Sequence, residues 1–121
     1  MLFPEDQVRL WLYTQPTDMR KSYDGLSTLV KSKLLDDPLS GQLFVFINRK
    51  RTQMKILYFD RSGYCIWSKR LEQGRFHWTS NTDEKQRLSW IDLKLIVEGI
   101  DTRSIKQYKR YRHPISQGDR V

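Results

Sequence analysis

The chain has 121 residues, is 38% hydrophobic and 30% charged, and carries a formal charge of +8 with one cysteine. That length suits one core with little room for a second, the composition excludes a disordered chain, and no apolar run approaches the roughly 18–20 residues of a membrane span. Cys65 alone excludes an internal disulfide framework or a cysteine-based zinc cluster, and with no basic-then-apolar leader readable at Met1–Asp6 the expected location is the cytoplasm.

Val8, Leu10 and Leu12 alternate with Arg9, Trp11 and Tyr13, which predicts a first strand ended by Pro16 and Thr17-Asp18. Leu26, Leu29, Val30 and Leu34 repeat with helical spacing, so an amphipathic helix is expected over about 23–34. Asp36-Asp37-Pro38 stops it and Ser40-Gly41 turns the chain. Leu43-Phe44-Val45-Phe46-Ile47 is apolar throughout, as in a strand covered on both faces. A basic loop leads into a strand from Met54 to Phe59. Asp60-Arg61-Ser62-Gly63 is a turn signal, and Tyr64 to Leu71 returns as another strand. These short connections favour an antiparallel meander. Arg75-Phe76-His77-Trp78 can add a short edge strand, and residues 79–87 read as a polar connector. Ser89-x-x-Asp92 has capping-box spacing before Trp90, Leu93 and Val97, with Gly99 suited to the left-handed position after a helix over about 90–98. The expected fold is α+β: a mostly antiparallel sheet of about four or five strands with two packed helices. Residues 1–104 are expected to form the single domain and 105–121 a basic, flexible tail.

The positive charge is segregated. Residues 48–55 hold Arg49, Lys50, Arg51 and Lys55 with no acid, a net +4. Residues 101–113 hold Arg103, Lys106, Lys109, Arg110 and Arg112 against Asp101, another +4, and the remainder sums to zero. A neutral body with two cationic patches is the pattern of a polyanion binder; a basic surface kept for solubility is the bland alternative. Cations at a hairpin tip can enter a groove or touch phosphates. The tail interleaves its cations with Tyr108 and Tyr111, which offer stacking on unpaired bases.

Catalytic signals are weak. Asp18, Asp24, Asp60 and Glu72 form no spaced pair, and Asp18 and Asp60 sit where aspartate caps helices or makes turns. His77 and His113 have no ligand pattern around them, Cys65 lies inside a strand pattern, and no glycine loop is built for phosphate. No catalytic residue, metal or cofactor is therefore expected. Trp11, Phe44, Phe46, Phe59 and Trp67 read as core. Phe76 and Trp78, beside Arg75, are the aromatic candidates for partial exposure and a protein–protein contact.

The ordered motifs resemble the accessory protein of the insertion sequence 66 family, encoded by the second open reading frame and often called TnpB. (The RNA-guided nuclease of the same label is unrelated.) The resemblance runs through Trp11-Leu12, Thr17-Asp18-Met19-Arg20-Lys21, Tyr23-Asp24-Gly25-Leu26, Leu43-Phe44-Val45-Phe46, Asn48-Arg49-Lys50-Arg51, Lys55 to Asp60, Lys69 to Glu72, Gly74-Arg75-Phe76, Trp78 and Glu98 to Asp101, covering about residues 3–104. Ser22, Ile47, Phe59 and Thr79 depart from the family's usual glycine, arginine, tryptophan and proline. The resemblance implies a role in DNA transposition beside a larger transposase that carries the strand-transfer carboxylates.

The combined expectation is a non-catalytic accessory that contacts DNA, the transposase and other insertion-sequence proteins. Arg49, Lys50, Arg51 and Lys55 are the principal DNA contacts, with Arg20, Lys21, Arg75, Lys109 and Arg112 as secondary ones. Arg20 and Lys21 oppose the dipole of the helix that follows, which suggests a partner anion. One rival is an adaptor that binds only protein. Another is a metal-dependent nuclease, which requires Asp18, Asp60 or Glu72 to converge.

Overall fold

The computed structural model describes residues 8–79 and 82–101. In chain order the elements are β1 (Leu10–Tyr13), α1 (Tyr23–Ser32), β2 (Leu43–Ile47), β3 (Gln53–Asp60), β4 (Gly63–Arg70), β5 (Lys85–Leu88) and α2 (Trp90–Val97). The five strands form one sheet in the order β4-β3-β2-β1-β5. The result is the expected α+β fold, with a mostly antiparallel sheet and two helices. The tail, with Lys109 and Arg112, lies outside the described residues, as does the expected domain boundary.

Strand β2 sits at the centre, and all five of its residues are buried. Its alternation divides the core. Leu43, Val45 and Ile47 pack with Leu10, Leu12, Met54, Ile56 and Phe76 beneath Leu93 and Ile96 of α2. Phe44 and Phe46 pack with Tyr13 and Leu57 beneath Leu26 and Val30 of α1. An uninterrupted apolar run is therefore required here, because each face of β2 meets a helix layer. Each fully buried aliphatic or aromatic side chain contributes about 1.5–3 kcal/mol.

The antiparallel meander holds for β2, β3 and β4. Strand β1 differs: it pairs parallel to β2, with Leu10 opposite Leu43 and Leu12 opposite Val45. The α1 crossover between them makes that direction possible, since a parallel pair needs a long connection. The fifth strand comes from the predicted polar connector rather than from residues 75–78. Lys-Gln-Arg-Leu carries no apolar alternation because β5 is a short edge strand whose one buried residue is Leu88. On the α1 side of the sheet, Lys85 lies 4.2 Å and Arg87 5.6 Å from the centre of the Trp11 ring. Lys85 also pairs with Asp36 at 2.8 Å. Strand β4 is the opposite edge, which leaves Trp67 36% exposed instead of in the core.

Helix α1 stops earlier than its apolar spacing suggests. Leu34 remains buried, but Leu35 adopts φ 53° and turns the chain out of the helix. Helix α2 has the predicted start: Ser89 Oγ accepts from Asp92 N–H at 3.0 Å, and Asp92 Oδ2 accepts from Ser89 N–H at 3.0 Å. Gly99 follows at φ 73°, and a Cβ there would stand 3.4 Å from the Arg75 carbonyl oxygen. Among the described residues, no helix is long and apolar enough to cross a membrane. Ser89→Ala breaks one half of the capping box and is expected to cost about 1 kcal/mol, read as a lower urea midpoint at unchanged m-value.

Candidate nucleic-acid interface

The loop between β2 and β3 is built around Asn48. Its Oδ1 accepts from Thr52 N–H at 2.8 Å and Gln53 N–H at 3.0 Å, while its carbonyl accepts from Arg51 N–H at 3.0 Å. One side chain thus closes the turn, and Arg49 and Lys50 are left exposed at its tip. Neither is in an ion pair with another described residue.

Arg51 behaves differently from its neighbours. It adopts φ 60°, a left-handed conformation that costs a non-glycine residue about 1–3 kcal/mol. Two contacts hold it there. Its carbonyl accepts from Phe76 N–H at 2.7 Å, and its guanidinium lies 3.8 Å from the centre of the Trp78 ring. Arg51 therefore ties the hairpin to residues 76–78 and does not project with Arg49 and Lys50. The two aromatic candidates for partial exposure part company here: Phe76 is not exposed, and Trp78 is partly so. Phe76 is fully buried in the core under α2, and half-buried Trp78 carries Arg51 on its ring. The burial of Phe76 is set by packing that no local pattern revealed.

The second wall comes from the segment before α1. Thr17 N–H donates to the Ile47 carbonyl at 2.9 Å, which extends the β1–β2 edge past the strands. Asp18 Oδ1 then accepts from Arg20 N–H at 2.9 Å, and the Arg20 guanidinium forks the same carboxylate, with Nη2 to Oδ2 at 2.6 Å. The side-chain and backbone hydrogen bonds from Arg20 hold the Asp18 pKa down to about 2. Arg20 thus has a local partner, and Asp18 caps no helix; Ser22 precedes α1 without a side-chain cap bond. Lys55, on β3, reaches across to donate from Nζ to the Lys21 carbonyl at 2.7 Å. Gly25 leaves room for Lys21, since a Cβ at 25 would approach Lys21 Cβ and Cγ to 3.1 Å.

These two walls face each other. Residues 16–20 on one side and Asn48, Arg49, Lys50, Thr52 and Gln53 on the other line an open hollow of about 800 Å³. Met19 and Gln53 also border a second hollow of about 220 Å³, which continues to Lys55, Ser68 and Arg70. The structure therefore brings together Arg20, Arg49, Lys50 and Lys55 from separate stretches of sequence, with Lys21 held beside them by its carbonyl. Arg75 is exposed but lines neither hollow. Thr17, Asn48, Gln53 and Arg70 were not predicted as site residues. Arg70 was within reach of sequence reasoning: pairing Asp60 with Gly63 across the turn sets a register that puts Gln53 opposite Arg70. Arg70 is matched in charge by Glu72 at 2.9 Å.

Asp18 and Glu72 are each engaged by an arginine, and among the described residues no group of three or more His, Cys, Asp or Glu side chains is placed to hold a metal ion. Cys65 is half-exposed opposite Tyr58, whose pKa is raised by burial and then by Cys65.

A profile of the family described as IS66 Orf2 like protein matches residues 8–107. Two relatives come from Sinorhizobium fredii (strain NBRC 101917 / NGR234). The uncharacterized protein y4hO is 38% identical over 103 residues, covering 85% of this chain and 90% of that protein. The uncharacterized protein y4jC is 33% identical over 121 residues, covering 100% and 99% respectively. No solved structure is significantly similar.

Replacing Arg51 by alanine removes the Trp78 stack but keeps the left-handed backbone, so a loss of about 1–2 kcal/mol is expected. Arg51→Gly removes the same stack while relieving the backbone, so its denaturation midpoint should lie above that of Arg51→Ala. For Asp18, a depressed folded-state pKa means that its stabilising contribution is present above its unfolded value of about 3.9 and is lost as pH falls through about 2. Arg20→Met should return the Asp18 carboxyl toward the ordinary range in an NMR titration.

Proposed function

The chain belongs to the IS66 Orf2-like family of transposition-associated accessory proteins, and we propose that it serves insertion-sequence transposition by gripping DNA at the groove between residues 16–20 and 48–53. The observation that carries this reading is the convergence of unpaired Arg49 and Lys50 on the wall formed by Thr17 to Arg20. A solvated patch needs no opposing wall; a ligand groove does. The cations supply sequence-independent attraction through counterion release, and Asn48 and Gln53 add polar groups along the path.

The contact set is narrower than the charge count. Arg49 and Lys50 project freely, Lys21 is exposed, and Lys55 keeps its charge while bonding a carbonyl. Arg20 and Arg70 arrive already matched by acids, and Arg51 is a brace. The protein has no catalytic role in this reading; strand transfer belongs to the transposase, its partner in the complex.

A mobility-shift series across salt tests this on terminal-inverted-repeat and scrambled duplexes, with and without transposase. Neutralising about four phosphates gives a slope of log affinity on log salt near −3 to −4. The double variant Arg49→Ala with Lys50→Ala should flatten that slope by about two, while Arg51→Ala at a temperature where it is folded should leave it unchanged. A flat slope for the unmodified protein, with a shift only when transposase is present, would instead establish the protein-only adaptor.

A further inference from the structure

We infer that the larger hollow seats a phosphodiester of the DNA backbone, with the Thr17 hydroxyl as a neutral donor, so that this face reads the backbone and not the bases. The inference rests on the DNA-binding reading above and adds what part of the nucleic acid is held.

Thr17 is 4% exposed, and its hydroxyl is buried with no hydrogen-bond partner among the described residues. Buried hydroxyls are almost always partnered in native proteins, so an orphan on the wall of a hollow marks a missing acceptor. Core packing does not account for a threonine here, because its backbone N–H already ties the segment to Ile47 and its methyl packing is available to valine. Two cationic donors, Arg49 and Lys50, line the same hollow as Thr17. An anionic oxygen with several lone pairs satisfies all three, and hydroxyl, guanidinium and ammonium are the usual protein partners of DNA phosphates. Asp18, the acid on this wall, is held in the Arg20 fork and so is largely neutralised toward an incoming anion.

Base recognition in a single strand calls for a different surface. Proteins that hold unpaired bases combine cations with aromatic side chains on which the bases stack. No aromatic residue lines either hollow. Trp78, the aromatic residue tied to the basic loop, already carries the Arg51 guanidinium on its ring. The groove offers charge and hydrogen bonds without a stacking platform, which suits a duplex backbone.

Thr17→Val tests the seat, because it removes the hydroxyl and keeps the shape. The ligands are a 20-base-pair duplex, one of its strands alone, and that strand carrying abasic sites in place of its bases. The expected result is a duplex bound at least as tightly as the single strand, with the abasic strand within about twofold of the intact one. Thr17→Val should weaken all three by about three- to tenfold, the worth of one hydrogen bond, with the salt slope unchanged and thermal stability not lowered. Thr17→Ser should bind as the unmodified protein does, and it carries the test if the valine variant folds poorly. A single strand preferred tenfold over the duplex or over its abasic form would overturn backbone reading. Normal affinity in Thr17→Val, or a serine variant as weak as the valine one, would remove the Thr17 seat while DNA binding stood. Absence of binding by the unmodified protein to all three ligands would remove the underlying reading and this one with it.

Discussion

The parallel pairing of β1 with β2 is the constraint on which the candidate site depends. Two parallel neighbours end at the same edge of the sheet, so the segments that leave them emerge side by side. The chain after Tyr13 and the chain after Ile47 do so here, and the Thr17 N–H to Ile47 carbonyl bond fastens one to the other. Had the two strands run antiparallel, residues 16–20 and 48–53 would stand at opposite ends of the sheet. Ligands of open sheets commonly bind beyond the carboxyl ends of parallel strands for this reason. The parallel pair in turn requires the α1 crossover, and α1 covers the face of β2 that Phe44 and Phe46 present.

Charge in this protein is sorted by geometry into different tasks. Four cations lie within eight residues of sequence, yet only Arg49 and Lys50 stand clear at the tip of the turn. Asn48 makes that possible by satisfying three backbone groups of the loop through its own amide and carbonyl, which holds the tip in one shape before any ligand arrives. A preorganised loop loses less entropy on binding than a floppy one. Arg51 and Lys55 secure the surroundings: one locks the hairpin to Trp78 and Phe76, the other locks β3 to the carbonyl of Lys21. Arg20, forked by Asp18, shapes the opposite wall without adding much net charge.

Much of the architecture was legible in the chain itself because the relevant forces are local. The apolar run Leu43–Ile47 could only be satisfied between two layers, the Ser89–Asp92 spacing and Gly99 marked both ends of α2, and Asp60 to Gly63 marked the β3–β4 turn. The family resemblance came through the same ordered motifs and agrees with the match over residues 8–107. The basic loop was visible as charge without acid. Strand β5 was hidden for a physical reason: an edge strand paired to one neighbour needs few apolar residues, so Lys85, Gln86 and Arg87 look like a loop until Tyr13, Leu12 and Trp11 are placed opposite them. Trp67 was misjudged by the converse effect, since an apolar residue in a strand pattern carries no information about whether its strand lies at an edge.

By itself, then, the sequence determined the element types apart from β5, the double-sided burial of β2, the hairpin and the location of excess charge, because periodicity, turn chemistry and composition act over a few residues. Tertiary structure alone decided the direction of β1, the meeting of Thr17–Arg20 with Asn48–Gln53, the burial of Phe76, and the division of the basic loop into projecting and bracing cations. Those outcomes depend on which distant strand lies beside which. No short-range preference encodes that choice; it is settled when both faces of β2 must be covered at once.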